Sequence, residues 1–291
     1  MNTVYFVDTT LRDGEQAAGV AFTVDEKVKI AWLLDQVGVY QIESGIPAMG
    51  KLEMDAIYRI LSLDLKARVS TWNRATLGDV KASLACGARN LHISAPVSDI
   101  HIQYKLRRSR PWVLESVRRA VSYAREYGCT VTVGAEDASR ADMNFLLTFA
   151  RFAREEGASR LRFADTLGVL DPFTTRDKVA QIIQEVGIDV EMHAHNDFGM
   201  ATANALAAYQ AGAKYLSTTV SGLGERAGNS SFEEVVKMLQ RVKGVKIDVP
   251  EEKLEELAQT VVLAANRPVS FFSGTWENPK RLMMSHDVKP F

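Results

Sequence analysis

Short apolar or β-branched runs recur along the chain at Val4–Asp8, Val39–Glu43, Ala67–Trp72, Asn90–Ala95, Thr130–Glu136, Arg160–Asp165, Asp189–His195 and Tyr215–Val220. Between them, segments such as Val24–Gln36, Leu114–Tyr127, Met143–Glu155 and Phe173–Val186 place apolar residues three and four apart, the period of a helix with one buried face. Thr23-Val24-Asp25-Glu26 has the pattern of a capping box, and Pro111 and Pro172 stand where first-turn prolines belong. Gly38, Gly87, Gly128, Gly157, Gly187 and Gly212 follow the helical segments as C-cap residues do. Strict alternation of strand and helix demands parallel strands, because each crossover returns the chain to the same end of the sheet. Eight such units in about 240 residues predict an α/β fold, a closed (β/α)8 TIM barrel, with an open doubly wound sheet as the alternative. The barrel is expected over residues 1–245. Beyond it, residues 246–291 read as one more helix, Glu251–Ala265, and a tail with Phe271, Phe272, Trp276, Pro279 and Pro290 in no clear period. That tail either lies on the barrel as a terminus or serves as a lid or subunit contact.

Composition narrows the possibilities. Across 291 residues, 35 Lys and Arg balance 36 Asp and Glu, so no basic field exists to draw a nucleic acid. A chain that is 46% hydrophobic and 24% charged has the balance of a folded globular protein. No apolar run approaches the roughly 18 residues that a membrane helix needs, and the first residues carry neither a basic segment nor a long apolar stretch. A soluble, cytoplasmic protein without a membrane partner is expected. Cys86 and Cys129, lacking CxxC spacing, read as buried thiols in a reducing compartment.

Active sites of such barrels lie at the C-terminal ends of the strands, and here those ends are rich in polar groups. The first strand closes on Asp8-Thr9-Thr10-Leu11-Arg12-Asp13-Gly14-Glu15-Gln16, the second on Glu43, the fifth on Glu136-Asp137, the sixth on Asp165-Thr166 and the seventh on His193-Ala194-His195-Asn196-Asp197. Strand side chains alternate, so Glu191, His193 and His195 share one face, and two imidazoles two residues apart can hold one metal ion. Asp13, on the loop after the first strand, adds a hard oxygen ligand and leaves room for a chelating substrate. The implied cofactor is a divalent cation (Mg, Mn or Zn). Lys105, Arg107, Arg108 and Arg110 form a cationic run that reads as solvated or as a contact for phosphates. Gly222-Leu223-Gly224 reads as a tight turn or a phosphate-binding loop.

The same residues carry a resemblance. The Asp8–Gln16 segment, Glu43-Ser44-Gly45-Ile46-Pro47-Ala48-Met49-Gly50, Phe163-Ala164-Asp165-Thr166-Leu167-Gly168, His193-Ala194-His195-Asn196-Asp197 and Gly222-Leu223-Gly224-Glu225-Arg226-Ala227-Gly228-Asn229 are together similar to motifs of the metal-dependent acyltransferases that include homocitrate, isopropylmalate and citramalate synthases. Within that family, Gly14–Phe22, Glu136–Asp142 and Pro96–Asp99 most resemble homocitrate synthases of nitrogen-fixing bacteria.

The resemblance implies condensation of acetyl-CoA with a 2-oxo acid, 2-oxoglutarate or a related acid. It implies a metal held by Asp13, His193 and His195, with Asn229 near the fourth corner. It places Arg12 against the developing alkoxide, Thr166 and Gln16 on the acceptor, and Glu136 in proton transfer from the acetyl methyl group. Each residue also has a plainer reading: Arg12 as an ion pair with Asp13 or Glu15, Thr166 as a turn residue, and Gln16 as a loop-to-backbone hydrogen bond. Glu43 either holds water or substrate near the metal or pairs with Arg12. Glu191 either supports the metal ligands or pairs with an arginine such as Arg68. Trp72, Thr132 and Gly134 differ from the histidine, arginine and serine of the lysine-pathway enzymes, so an arginine clamp on a second carboxylate would have to come from Arg140, Arg74 or Arg89. In the family, a histidine from a Gly-Ile-His-Val-Asp-Gly type motif beyond the barrel partners the glutamate across a dimer. This sequence has no such motif, and nothing around His286 matches it. The expectation is therefore a homo-oligomer or a separate C-terminal partner subunit, with slow condensation by this chain alone. The alternatives are a CoA-independent aldolase or lyase acting on a hydroxy acid, and a barrel subunit inactive without its partner.

Overall fold

In a computed structural model that describes residues 3–266, eight parallel strands pair in chain order and the last returns to the first, closing a barrel. They are β1 (Tyr5–Asp8), β2 (Gln41–Glu43), β3 (Arg68–Arg74), β4 (Asn90–Pro96), β5 (Thr130–Glu136), β6 (Arg160–Asp165), β7 (Asp189–Ala194) and β8 (Tyr215–Thr218). The open-sheet alternative is thereby excluded. Helices α1 (Val24–Gln36), α2 (Lys51–Leu61), α3 (Leu77–Ala85), α4 (Arg110–Glu126), α5 (Met143–Glu155), α6 (Pro172–Val186), α7 (Ala201–Gln210) and α8 (Phe232–Lys243) cover the outside, and α9 (Glu251–Ala265) packs on α1. No helix among the described residues is long and apolar enough to cross a membrane. Phe271, Phe272, Trp276, Pro279, Pro290 and His286 lie outside the described residues.

The local signals act as their chemistry requires. Thr23 Oγ1 accepts the Glu26 N–H at 3.3 Å while Glu26 Oε2 accepts the Thr23 N–H at 2.7 Å, so two N–H groups with no helical partner are satisfied where α1 begins. From that start Ile30, Ala31, Leu33 and Leu34 turn into the space between helix and barrel and are fully buried. At the other end of a helix, Gly187 closes α6 with φ of 68°, a left-handed conformation that would strain any residue with a Cβ. One segment departs from its pattern. The cationic run Lys105–Arg110 is entered through a π-helical turn, His101–Leu106, ended by Arg107 at φ of 55°, before Ser109 caps α4.

The interior of the barrel is layered. At the N-terminal end of the strands Tyr5 stacks on Tyr215 at 5.0 Å and meets Tyr40 at 4.6 Å, with Arg160 4.5 Å above the Tyr215 ring. Above this plug stands a column of alternating charge. Glu191 accepts from Arg160 Nε at 2.6 Å and Arg162 Nε at 2.5 Å, Arg162 reaches Glu43 at 2.8 Å, and Glu43 accepts from Arg12 Nε at 2.7 Å. Gln41 and His92 complete the column, accepting from Arg160 Nη2 at 2.9 Å and lying 2.9 Å from Glu43 Oε2. Glu191 therefore pairs with Arg160 and Arg162 in place of Arg68, whose guanidinium lies 4.9 Å over the Tyr40 ring. Residues adjacent on parallel strands face the same way, which is how β6 supplies two arginines to one carboxylate on β7.

Candidate active site at the mouth of the barrel

The charged column ends in the loop after β1. Asp8 and Thr10 turn that loop: Thr10 N–H and Oγ1 both donate to the Asp8 carboxylate, and Thr10 Oγ1 accepts the Val220 N–H at 2.8 Å. Full burial pushes the Asp8 carboxyl up to about 7, although the Thr10 bonds work against the shift. These residues of the motif are structural. They direct Arg12 and Asp13 into the mouth, where Arg12, its side chain 9% exposed, lies 3.1 Å from Asp13, with Gln16 Oε1 accepting from its Nη1 at 3.1 Å. The surface pairing of Arg12 with Glu15 does not form, because Lys27 takes Glu15 at 2.6 Å. Gln16 bonds a guanidinium, not the backbone. Glu43 is enclosed by Arg12, Arg162 and His92, so its carboxylate orients Arg12 and is not open to water or substrate.

Asp13, His193 and His195 come together as buried neighbours. His193 Nε2 lies 3.1 Å from Asp13 Oδ2 and 3.2 Å from His195 Nε2, and His195 Nε2 lies 4.0 Å from Asp13 Oδ2. Both carboxylate oxygens of Asp13, His195 Nδ1 and Asn229 Oδ1 are buried with no hydrogen-bond partner, an uncommon cluster of unmet polar atoms. Burial opposes ionisation of Asp13, but the Arg12 guanidinium and His193 hold its carboxyl below the usual range. Burial and then His193 push the His195 ring down to about 4, which keeps its nitrogen free to ligate. His193 Nδ1 meets Ser217 Oγ at 2.8 Å, the kind of support that fixes a ring and leaves its Nε2 to a metal. Asn229 is brought alongside by a backbone bridge to His195 and donates to Leu223 O at 3.2 Å. A Cβ on Gly224 would sit 2.1 Å from Asn229 Nδ2, so this glycine makes room for the amide. The glycine-rich turn thus serves Asn229, and Gly222 at φ of 69° closes it. Two imidazoles, a carboxylate and a nearby amide oxygen fit a divalent cation, and the unmet atoms are what such an ion would satisfy.

A second cluster occupies the same end of the barrel on β4, β5 and β6. Glu136 Oε1 meets His101 Nδ1 at 2.9 Å and accepts from Lys105 Nζ at 2.7 Å, both carried by the π-helical turn. Asp137, at φ of 61°, is buried and receives Arg140 through Nε at 2.9 Å and Nη2 at 2.6 Å, together with Ser98 Oγ. Thr166 Oγ1 accepts the Asp137 N–H at 2.9 Å, so it stands at this junction with its hydroxyl hydrogen uncommitted to that bond. Arg140 Nη2 lies 3.4 Å from His101 Nε2. His101 is the residue that sequence reasoning missed. It precedes the cationic run, and the turn His101–Leu106 carries both it and Lys105 to Glu136. Within the cationic run, Lys105 is held by Glu136 and Arg110 by Asp99, each at 2.7 Å. Of the other arginines considered for a second carboxylate, Arg74 is forked onto Asp79 at 2.9 Å, and Arg89 precedes β4, at the end of the barrel away from the site.

Comparison with known proteins gives the family. The sequence pattern of the HMGL-like family matches residues 3–261. The chain is 54% identical to homocitrate synthase 1 of Nostoc sp. over 92% of its own length and 71% of that protein, and 53% identical to 2-isopropylmalate synthase 2 of Caldanaerobacter subterraneus over 91% and 69%. It is 48% identical to the homocitrate synthase subunit alpha of Clostridium pasteurianum over 84% of this chain and 91% of that one. An HMG-CoA lyase from Acenitobacter baumannii superposes with a TM-score of 0.83 at 18% identity, covering 99% of this chain and 98% of that one, a likeness of fold. The chain belongs to the HMGL-like family, among its homocitrate and isopropylmalate synthases, and is an enzyme of that acyltransferase type.

Proposed function

We propose that this protein condenses acetyl-CoA with a 2-oxo acid, 2-oxoglutarate or a related acid, to form a hydroxylated dicarboxylic or tricarboxylic product. The observation that carries the reading is the buried trio Asp13, His193 and His195, with its unmet polar atoms, set beside the Arg12 guanidinium. A divalent cation held there, with Asn229 near it, would polarise the ketone of a chelating 2-oxo acid. Arg12 has Nε fixed by Glu43, which orients its guanidinium at the mouth, and a preorganised cation in a dry site stabilises an alkoxide as it develops. Thr166 and Gln16 border the acceptor, Thr166 through a hydroxyl already oriented by Asp137 and Gln16 through its contact with Arg12. Arg140 borders it too, although its fork on Asp137 limits it to positioning unless that pair opens. Glu136 takes the methyl proton of the thioester, the carbanion equivalent attacks the ketone carbon, the resulting alkoxide is protonated, and water then hydrolyses the thioester of the adduct to give the free carboxylate and CoA thiol.

A partner polypeptide is favoured by one finding: the relative matched over 91% of its length is named a subunit alpha. The test is thiol release from acetyl-CoA on a panel of 2-oxo acids with added Mg, Mn or Zn. Release with one or a few acids is the expected result. Silence with every acid, joined to cleavage of a hydroxy acid without CoA, would establish an aldolase instead.

A further inference from the structure

A glutamate that removes a proton from a thioester methyl group must hold one oxygen clear and keep its carboxylate still. The π-helical turn His101–Leu106 does this for Glu136. His101 and Lys105, four residues apart, both reach Oε1, at 2.9 and 2.7 Å. A π turn is uncommon and concentrates at functional sites, because it re-aims side chains that an α-helix would send elsewhere. The turn is itself anchored: Ser98 Oγ accepts the His101 N–H at 3.3 Å and donates to Asp137, and Arg107 N–H bonds back to Ile102 O at the left-handed end. On the far side of the imidazole, Nε2 lies 3.4 Å from Arg140 Nη2 and 3.7 Å from Asp137 Oδ2. A ring proton on Nδ1 points at Glu136 Oε1, and Arg140 Nη2 stands on the Nε2 side of the same ring. His101 is only partly exposed, so this contact is not a loose surface pair.

Resting on the condensation reading above, we propose that His101 is the positioning residue for Glu136, so that the barrel supplies within one chain the histidine that orients its own base. In the step it serves, the methyl C–H bond breaks and its proton passes to Glu136 Oε2. The electron pair becomes the enolate of the thioester, and His101 Nδ1–H and Lys105 stay bonded to Oε1 throughout. The enolate carbon then forms the new bond to the ketone carbon, whose oxygen takes the electron pair. No histidine from another polypeptide is required for the first step.

The test compares the wild-type chain with His101→Ala and His101→Asn, the latter placing an amide N–H where Nδ1–H stood. Three quantities are measured on the metal-loaded protein: exchange of the acetyl-CoA methyl hydrogens with D2O, kcat and KM for condensation, and the isotope effect with trideuteroacetyl-CoA. The expected result is a loss of exchange and kcat of about 10²-fold in His101→Ala, the lower part of the range for general-base assistance. KM for the 2-oxo acid and metal content should not change, the isotope effect should rise, and His101→Asn should recover most of the loss. Should wild type exchange methyl hydrogens without condensing while His101→Ala loses that exchange and His101→Asn recovers it, the positioning role stands and the condensation reading falls. If wild type condenses while His101→Ala keeps its kcat and isotope effect, the positioning role is overturned and condensation stands. Equal impairment of His101→Ala and His101→Asn would also overturn it, as would a wild-type chain that exchanges only after a histidine-bearing partner is added.

Discussion

Two carboxylates buried in the same barrel, Glu191 and Asp13, have opposite surroundings. Glu191 receives Nε–H bonds from Arg160 and Arg162, so its charge is met within the fold. Asp13 lies within ion-pair distance of Arg12 and His193, yet neither of its oxygens has a hydrogen bond of acceptable geometry. Burial penalises both ions; in each case neighbouring cations still hold the carboxyl below its usual range. The difference teaches how to tell a charge that builds the protein from one that awaits a ligand. A buried ion whose bonds are closed belongs to the architecture, and one whose lone pairs converge unmet on those of other ligand types belongs to a binding site.

Exchanging each carboxylate for its amide should break this comparison most sharply. Asp13→Asn is expected to lower turnover by 10³-fold or more, since a weak neutral donor replaces the hard anionic ligand. It should also abolish the metal-dependent gain in melting temperature. After chelation its unfolding free energy should fall by only about 1 to 2 kcal/mol, because Arg12 keeps Glu43. Elemental analysis and melts with and without chelator check this. Glu191→Gln should do the reverse. It leaves Arg160 and Arg162 short of charge in the barrel interior, a loss of about 3 to 5 kcal/mol that denaturant unfolding should find whether or not metal is present.

The smallest effect concerns His92, which stands beside Glu43 in the charged column. Burial and then the Arg162 charge push its ring down from 6.5 to about 4. The unfolded chain therefore binds a proton before the folded one does, and folding loses stability as pH falls from 6.5 toward 4. In His92→Gln this loss is absent, so the stability difference between wild type and variant should shift by about 2 kcal/mol against wild type between pH 6.5 and pH 5. Paired denaturant titrations at the two pH values measure it, and using the variant as reference removes the contribution of Asp8, whose raised carboxyl changes in the opposite sense.

The legible part of this protein was what short-range physics writes into neighbouring residues. Alternating runs and helical periods place β5, β6, α1, α5 and α9 at their observed bounds, because burial of one face and satisfaction of terminal N–H groups depend on residues within a turn or two. His193 and His195 could be joined from sequence, since strand alternation puts residues two apart on one side, and Asp13 followed from its position after the first strand. Tertiary structure decided the rest. Whether Glu43 met substrate or protein depended on Arg162, 119 residues away, and Glu191 took its two partners from β6, where sequence offered Arg68. Glu136 acquired His101 from a turn 35 residues earlier in the chain. A side chain's partner across a closed barrel is set by register and strand tilt, which sum contributions from every strand, so no local stretch of sequence carries that information.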